Sequence, residues 1–375
     1  MFGIEYAKYF YPTFLFLIFG LSAIQYLNIQ GKSTYNLLYK QKAQVWMFLF
    51  VVAFIWIVGM RPISGQYFGD TANYANTYEQ MSLSVRSPIP FISKEWLFYW
   101  PMYLCSKSID IKYFFLIVEF IYIIPVYIAC RRLIPQNDSL LMLFCLGAFS
   151  FFTFGTNGIR NGAACSLIIF AITYIRGKLF NKIICILLCY CAYNIHHSTA
   201  LPILAMWVTY MFPRPKPMFY FWLLSIFVSY YFGNYISDFF MTMGFDDRLT
   251  NYITGAELED EMKQFSQIGF RWDFLIYSAM PIILAWYIIF KRKIKVDLNY
   301  ILLLGVYIYS NAFWLMVIRS SFSNRFAYLS WFIYPLVLAY PLLKFPIWKK
   351  KQGLRTGLIL LAHFGFTFVM WLIDK

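Results

Sequence analysis

The sequence predicts an all-helical integral membrane protein that crosses the bilayer many times, and three observations carry that expectation. The chain is 61% hydrophobic and 22% aromatic over 375 residues, above the apolar share of about 45–50% found in soluble domains. Apolar runs close to the roughly 20 residues needed for one crossing recur from end to end. The cations gather in alternate loops, as they do when one side of a membrane is favoured for Lys and Arg.

Taken in order, the runs place spans near 9–28, 43–60, 111–130, 139–156, 160–176, 181–195, 198–212, 217–237, 272–291, 297–318, 325–343 and 356–373. That is about twelve helices in a single transmembrane domain covering residues 1–375. The opening run, Phe10 to Leu27, lacks a small-residue cleavage site and is expected to be a retained helix. The runs 181–195 and 198–212 are short and flank a histidine turn, so either can be tilted or re-entrant.

Orientation follows from loop charge. With the N-terminus outside, one set of loops holds nineteen cations, from Lys32 to Arg355, against only Asp138 and Asp297. The rest of the chain holds 13 cations and 15 acids. The basic loops are therefore expected in the cytoplasm, with both termini on the outer side. This asymmetry accounts for the net charge of +15, and no nucleic-acid partner is needed to explain it. Two longer segments face outward on this count: residues 61–110, with a short amphipathic helix expected over Glu95 to Leu104, and residues 238–271, acidic in the middle. The working face should be the outer one, because function concentrates in such loops.

The seven cysteines form no paired CxxC pattern, and six lie in apolar runs, where small soft side chains pack well. Neither a disulfide framework nor a zinc site is expected.

Six arginines stand where outer loops meet spans: Arg61, Arg160, Arg248, Arg271, Arg319 and Arg325. An arginine in hydrocarbon costs about 2.5–3.5 kcal/mol at the bilayer centre and less near the interface. Any single one can snorkel to headgroups. As a set they favour anion binding, because four have small or hydrogen-bonding neighbours, as in GIRNGAA and VIRSSFSNRFAY. Guanidinium forks clamp phosphate oxygens in pairs. Carboxylates on the same face are Asp70, in FGDTANY, and Glu95; either can take a proton from a hydroxyl, although Asp70 can equally cap a helix and Glu95 can be solvated surface. Two of the three histidines, His196 and His197, sit side by side in YNIHHSTALP. Neighbours at a turn cannot both face one way, so one is expected to enter a site, with His197 favoured, and the other to pack. Outer-loop aromatics, among them Tyr74 and Tyr252, can stack on sugar rings, though an interfacial aromatic belt explains many of them as well.

The ordered set (Gly69, Asp70, Thr71 and Tyr74, then Glu95, IRNGAA, HHSTALP, Arg248 with Tyr252, and Arg325 with Tyr328) resembles the EpsG family of Wzy-type polysaccharide polymerases along nearly the whole chain. Two departures are Gly162, where many members carry a larger residue, and the histidine pair, where they carry one. The resemblance implies an enzyme of the bacterial inner membrane, with a GT-C-like helical architecture. It would join undecaprenyl-pyrophosphate-linked oligosaccharide repeats on the periplasmic side, using these lipids as donor and acceptor. On that basis Asp70, His197 and Glu95 are the catalytic candidates. Arg160, Arg325 and Arg248, then Arg61, Arg271 and Arg319, are the pyrophosphate candidates, and Tyr74, Tyr252 and Tyr328 the sugar candidates. No cofactor or metal is expected. Partners are membrane lipid and a chain-length regulator. A flippase or exporter of the same glycolipid, or a membrane acyltransferase, are the alternatives from other classes.

Overall fold

The computed structural model describes residues 3–39, 45–84, 95–242, 270–319 and 324–373. All regular structure among the described residues is helical. The chain divides into two compact units, one of residues 1–203 with 339–375, the other of residues 204–338.

In the first unit, α1 (Ala7–Gln30) packs on the C-terminal helix α18 (Gln352–Ile373). Between them in sequence come α2 (Thr34–Tyr39), α3 (Val45–Gly59), α4 (Gly65–Phe68), α5 (Thr71–Leu83), α6 (Trp96–Ser106) and α7 (Ile111–Leu133). They are followed by α8 (Asp138–Leu146), α9 (Phe151–Thr156), α10 (Ile159–Ile172), α11 (Leu179–Ile195) and α12 (Ala200–Met211). Helix α7 is the central post, in contact with α3 and α10, and α10 in turn packs on α11. Asp110 starts α7 by accepting from the Lys112 backbone N–H at 2.9 Å, and Arg131 and Arg132 in its last turn complement the helix dipole. Pro125 inside α7 cannot donate to the carbonyl four residues back. The Ser166 hydroxyl on α10 donates to that carbonyl, Ile121, at 3.0 Å. The tight approach of α9 and α10 depends on Gly162, since a Cβ there would meet the Phe154 carbonyl oxygen at 2.6 Å.

The second unit holds most of α12, then α13 (Pro215–Thr242), α14 (Trp272–Trp286), α15 (Leu298–Met316), α16 (Asn324–Trp331) and the start of α17 (Tyr334–Lys344). A π-helical turn, Tyr287–Lys291, extends α14. Helix α15 packs on α13, α14 and α16.

Six helices among the described residues are long and apolar enough to cross a membrane, rather than the twelve expected: Ile4–Gln30, Ile111–Leu133, Trp272–Lys291, Leu298–Met316, Phe326–Lys344 and Gln352–Ile373. Val45–Gly59, Ile159–Ile172 and Leu179–Ile195 are apolar but shorter. The run 139–156 is two short helices, α8 and α9, broken at residues 147–150. A window of hydropathy averages across such a break and cannot register it. Among its described residues the segment 61–110 contains helices α4, α5 and α6, of which α6 is the expected amphipathic one. The last of them begins one residue from the expected start.

Candidate functional site

The polar side chains of the first unit converge where α5, α6, α10 and α11 meet. Glu95 is the N-cap residue of α6 and adopts a left-handed backbone, φ 55° and ψ 46°. That conformation is costly for a residue with a side chain, and such strain clusters at functional sites. It aims a nearly buried carboxylate, 9% exposed, back between two helices. One oxygen, Oε2, is ion-paired with the Arg160 guanidinium on the first turn of α10. The other accepts from His196 Nδ1 at 2.6 Å and from the His197 backbone N–H at 3.2 Å.

The histidine turn forms because α11 ends at Ile195 and His196 is extended, with φ −153° and ψ 108°. That swing carries the His196 side chain to Glu95 and directs the His197 ring elsewhere, stacked on Tyr193 at a centroid distance of 4.6 Å and an angle of 22°. Thr199 closes the turn by donating to the His196 carbonyl at 2.7 Å. Asn194, one turn earlier, accepts from Trp96 Nε1 at 2.7 Å and so ties α11 to α6.

Arg160 spends most of its fork inside the cluster. Its Nε donates to the Tyr74 hydroxyl at 3.0 Å and its Nη1 to the Tyr99 hydroxyl at 2.9 Å, beside the pairing with Glu95. Tyr74 is buried against Phe98, with ring centroids 5.6 Å apart, so its ring is an inner wall of the cluster. Burial raises the Tyr74 hydroxyl's pKa against the pull of the Arg160 charge. For Glu95, burial also pushes upward, but the hydrogen bond from His196, the charges of Arg160 and His196 and the His197 N–H outweigh it and hold the carboxyl at about 2. An ionised carboxylate can only accept, so the His196 nitrogen facing it carries the proton. A neutral His196 then has its lone pair on Nε2.

Asp70 begins α5. Its backbone N–H donates to Asn157 Oδ1 at 2.8 Å, and its carboxylate accepts from Asn73 Nδ2 at 3.3 Å without capping the helix backbone. Gly69 before it has φ 50°, and a Cβ there would collide with the Asn157 side chain.

Arg61 lies apart from these groups and is fully buried. It donates to the Val58 carbonyl at 2.9 Å and to the Thr156 carbonyl at 3.2 Å, and its guanidinium lies 4.8 Å from the centre of the Phe115 ring. Thr71 donates to the same Thr156 carbonyl at 2.9 Å. Arg61 therefore pins the end of α3 to the end of α9 and the start of α5.

In the second unit, Arg271 pairs with Asp273 through Nε at 2.9 Å and Nη2 at 2.6 Å. Arg319 donates from Nη2 to the Tyr230 carbonyl at 3.1 Å, and its Nε is buried without a hydrogen-bond partner. Tyr328 on α16 packs edge-on against Trp331. Arg325 lies in α16, but its side chain is outside the described residues, as are Arg248 and Tyr252. Among the described residues no three His, Cys, Asp or Glu side chains converge as metal ligands would.

The structure thus brings together Glu95, Arg160, Tyr74 and the backbone of His197, with Asp70 nearby on α5. It adds Tyr99, Trp96, Asn157 and Asn194, and it brings His196, the less favoured member of the histidine pair, to the Glu95 carboxylate. The spacing of Glu95 and Tyr99, one helical turn apart, was the available signal for Tyr99.

A helical membrane protein with an ionised cluster sealed among its helix ends is the class this arrangement defines. The chain belongs to the EpsG family, whose family model matches residues 44–375 and which comprises Wzy-type polysaccharide polymerase-like proteins. Every residue of the cluster falls inside the matched segment. Neither a curated protein nor a solved structure matches the chain.

Proposed function

We propose that the protein polymerises undecaprenyl-pyrophosphate-linked oligosaccharide repeats on the periplasmic face of the bacterial inner membrane. The observation that carries the reading is the Arg160–Glu95–His196 chain: an anchored carboxylate that fixes one imidazole nitrogen as donor and leaves the other as a base. Family membership supports a polysaccharide polymerase, and the segregation of cations supports an outward-facing site.

In the proposed step, the acceptor sugar's hydroxyl oxygen bonds to the anomeric carbon of the donor while that carbon's bond to the pyrophosphate oxygen breaks. The hydroxyl proton goes to His196 Nε2, and the electron pair leaves with the pyrophosphate. Glu95 acts on His196 as a positioning residue; held at about 2, it is too weak a base to take the proton itself. Asp70 is the second candidate base, because its half-buried carboxylate has a single side-chain partner.

The leaving group's charge falls to arginines. Arg160 is already balanced by Glu95, and Arg61 is committed to backbone carbonyls. The family resemblance adds Arg325, Arg248, Arg271 and Arg319 as candidates for the pyrophosphate. His197 with Tyr193 offers a flat aromatic pair to a sugar face.

The test is purified protein in nanodiscs with a synthetic undecaprenyl-pyrophosphate oligosaccharide, read by mass spectrometry. Products spaced by one repeat are expected. A folded protein that gives none with its cognate lipid, yet moves that lipid across a vesicle membrane, would replace polymerisation with transport.

A further inference from the structure

Helices α13 and α14 run antiparallel and are bridged by aromatic side chains. Phe219 meets Phe290 at one end, with centroids 5.4 Å apart, and Tyr230 meets Trp272 at the other, at 5.9 Å. Toward the Phe219 end the pair opens into a cleft of about 380 Å³ within the second unit. Phe219, Trp222 and Ile282 form its buried floor, and the exposed Trp286 and Ile283 its lip. This is an open aromatic surface of the kind that lies against hydrocarbon.

Basic residues gather at the end where Phe219 meets Phe290. Lys216 lines the cleft, and directly after Phe290 come Lys291, Arg292, Lys293 and Lys295. The described residues include no ion-pair partner for Lys216 or Lys291. The backbone also changes from α to π over Tyr287–Lys291, the segment that brings Phe290 to the cleft. Single π turns of this kind recur at functional sites.

We propose that this cleft binds one anionic phospholipid, its acyl chain on the aromatic floor and its phosphate at Lys216 and Lys291. Charge complementarity selects the occupant, because basic pockets between membrane helices attract anionic headgroups, whereas a neutral chain gains nothing from the basic residues. The site is separate from any phosphate at Arg319. Arg319 bonds the Tyr230 carbonyl, and along α13 the rise from Lys216 to Tyr230 is about 21 Å at 1.5 Å per residue, most of the roughly 30 Å hydrocarbon thickness. The lipid belongs to the leaflet on the side of the basic loops.

The experiment titrates the delipidated full chain in detergent with phosphatidylglycerol or phosphatidylcholine and counts retained lipids by native mass spectrometry. One phosphatidylglycerol per chain is expected, held about tenfold or more tighter than phosphatidylcholine. The paired change Lys216→Glu with Lys291→Glu should abolish that preference, and Ile283→Trp, at an exposed position on the lip, should reduce retention by filling the cleft. Lys349→Glu with Lys350→Glu, in another basic loop, should change nothing. Equal retention of the two lipids, or a preference that survives both sets of cleft variants, overturns the proposal. So does a dimer that Ile283→Trp dissolves in the absence of lipid, which would assign the cleft to a second copy of the chain.

Discussion

Two buried arginines of the first unit, Arg61 and Arg160, stand at helix ends and differ in what they hold. Both described bonds from Arg61 end on backbone carbonyls, those of Val58 and Thr156. Arg160 ends on the side chains of Glu95, Tyr74 and Tyr99, every one of them titratable. A carbonyl in a helix end has nowhere to go, so the first arginine fixes architecture. A carboxylate and two phenols can change partner or protonation when a ligand arrives, so the second arginine sits in a set that can respond. Residue type and depth are alike in the two cases, and the partner decides.

Substitutions break the comparison in order of size. Arg61→Leu should destabilise the fold by about 3 kcal/mol, because the buried Val58 and Thr156 carbonyls lose a charged donor. The check is the yield and melting temperature of the detergent-solubilised protein; a near-wild-type melting temperature would show that Arg61 is not a pin. The second effect is catalytic. His196→Ala and Glu95→Gln should each leave the protein folded and lower the rate of repeat addition by about 10²–10⁴-fold, while His197→Ala stays within a few-fold. If His197→Ala is the more damaging of the two histidine changes, the base is misassigned.

The smallest effect is on pH dependence. Glu95 is depressed from its ordinary 4.5 to about 2, so its contribution to stability is fully present above about 4.5 and is lost as pH falls toward 2. The melting temperatures of wild type and Glu95→Gln should therefore differ at neutral pH and draw together below about 4.5. A gap that is constant with pH would mean that the charge of Glu95 contributes nothing.

Much of the helical frame was legible because long uniform apolar runs state their own length; α1, α7, α15 and α18 fall within a few residues of expectation. Breaks inside such runs were not. In the apolar stretch 139–156 only Gly147 and Ser150 mark the turn at residues 147–150, and partners elsewhere in the chain fix it. Helix α4 went unseen because its residues carry no strong apolar period, whereas α5 was open in the reading of Asp70 as a helix cap. At the cluster, residue types and order brought Glu95, Arg160 and the histidine pair to notice. Which histidine meets Glu95 was hidden, since it turns on the extended backbone of His196. The third histidine, His363, belongs to packing that only the fold displays.

The break between α8 and α9 frees carbonyl oxygens that no water reaches in a bilayer. His363 Nε2 donates to the Phe144 carbonyl at 3.0 Å and the Thr367 hydroxyl to the Gly147 carbonyl at 2.8 Å. Both donors ride on α18, about 220 residues further along the chain. During synthesis α8 and α9 leave the ribosome long before those donors exist, so their open carbonyls cannot be released into lipid as a finished unit. Biogenesis has to keep them sheltered, by translocon or by water, until α18 arrives, which places the docking of α18 after the insertion of the helices it completes.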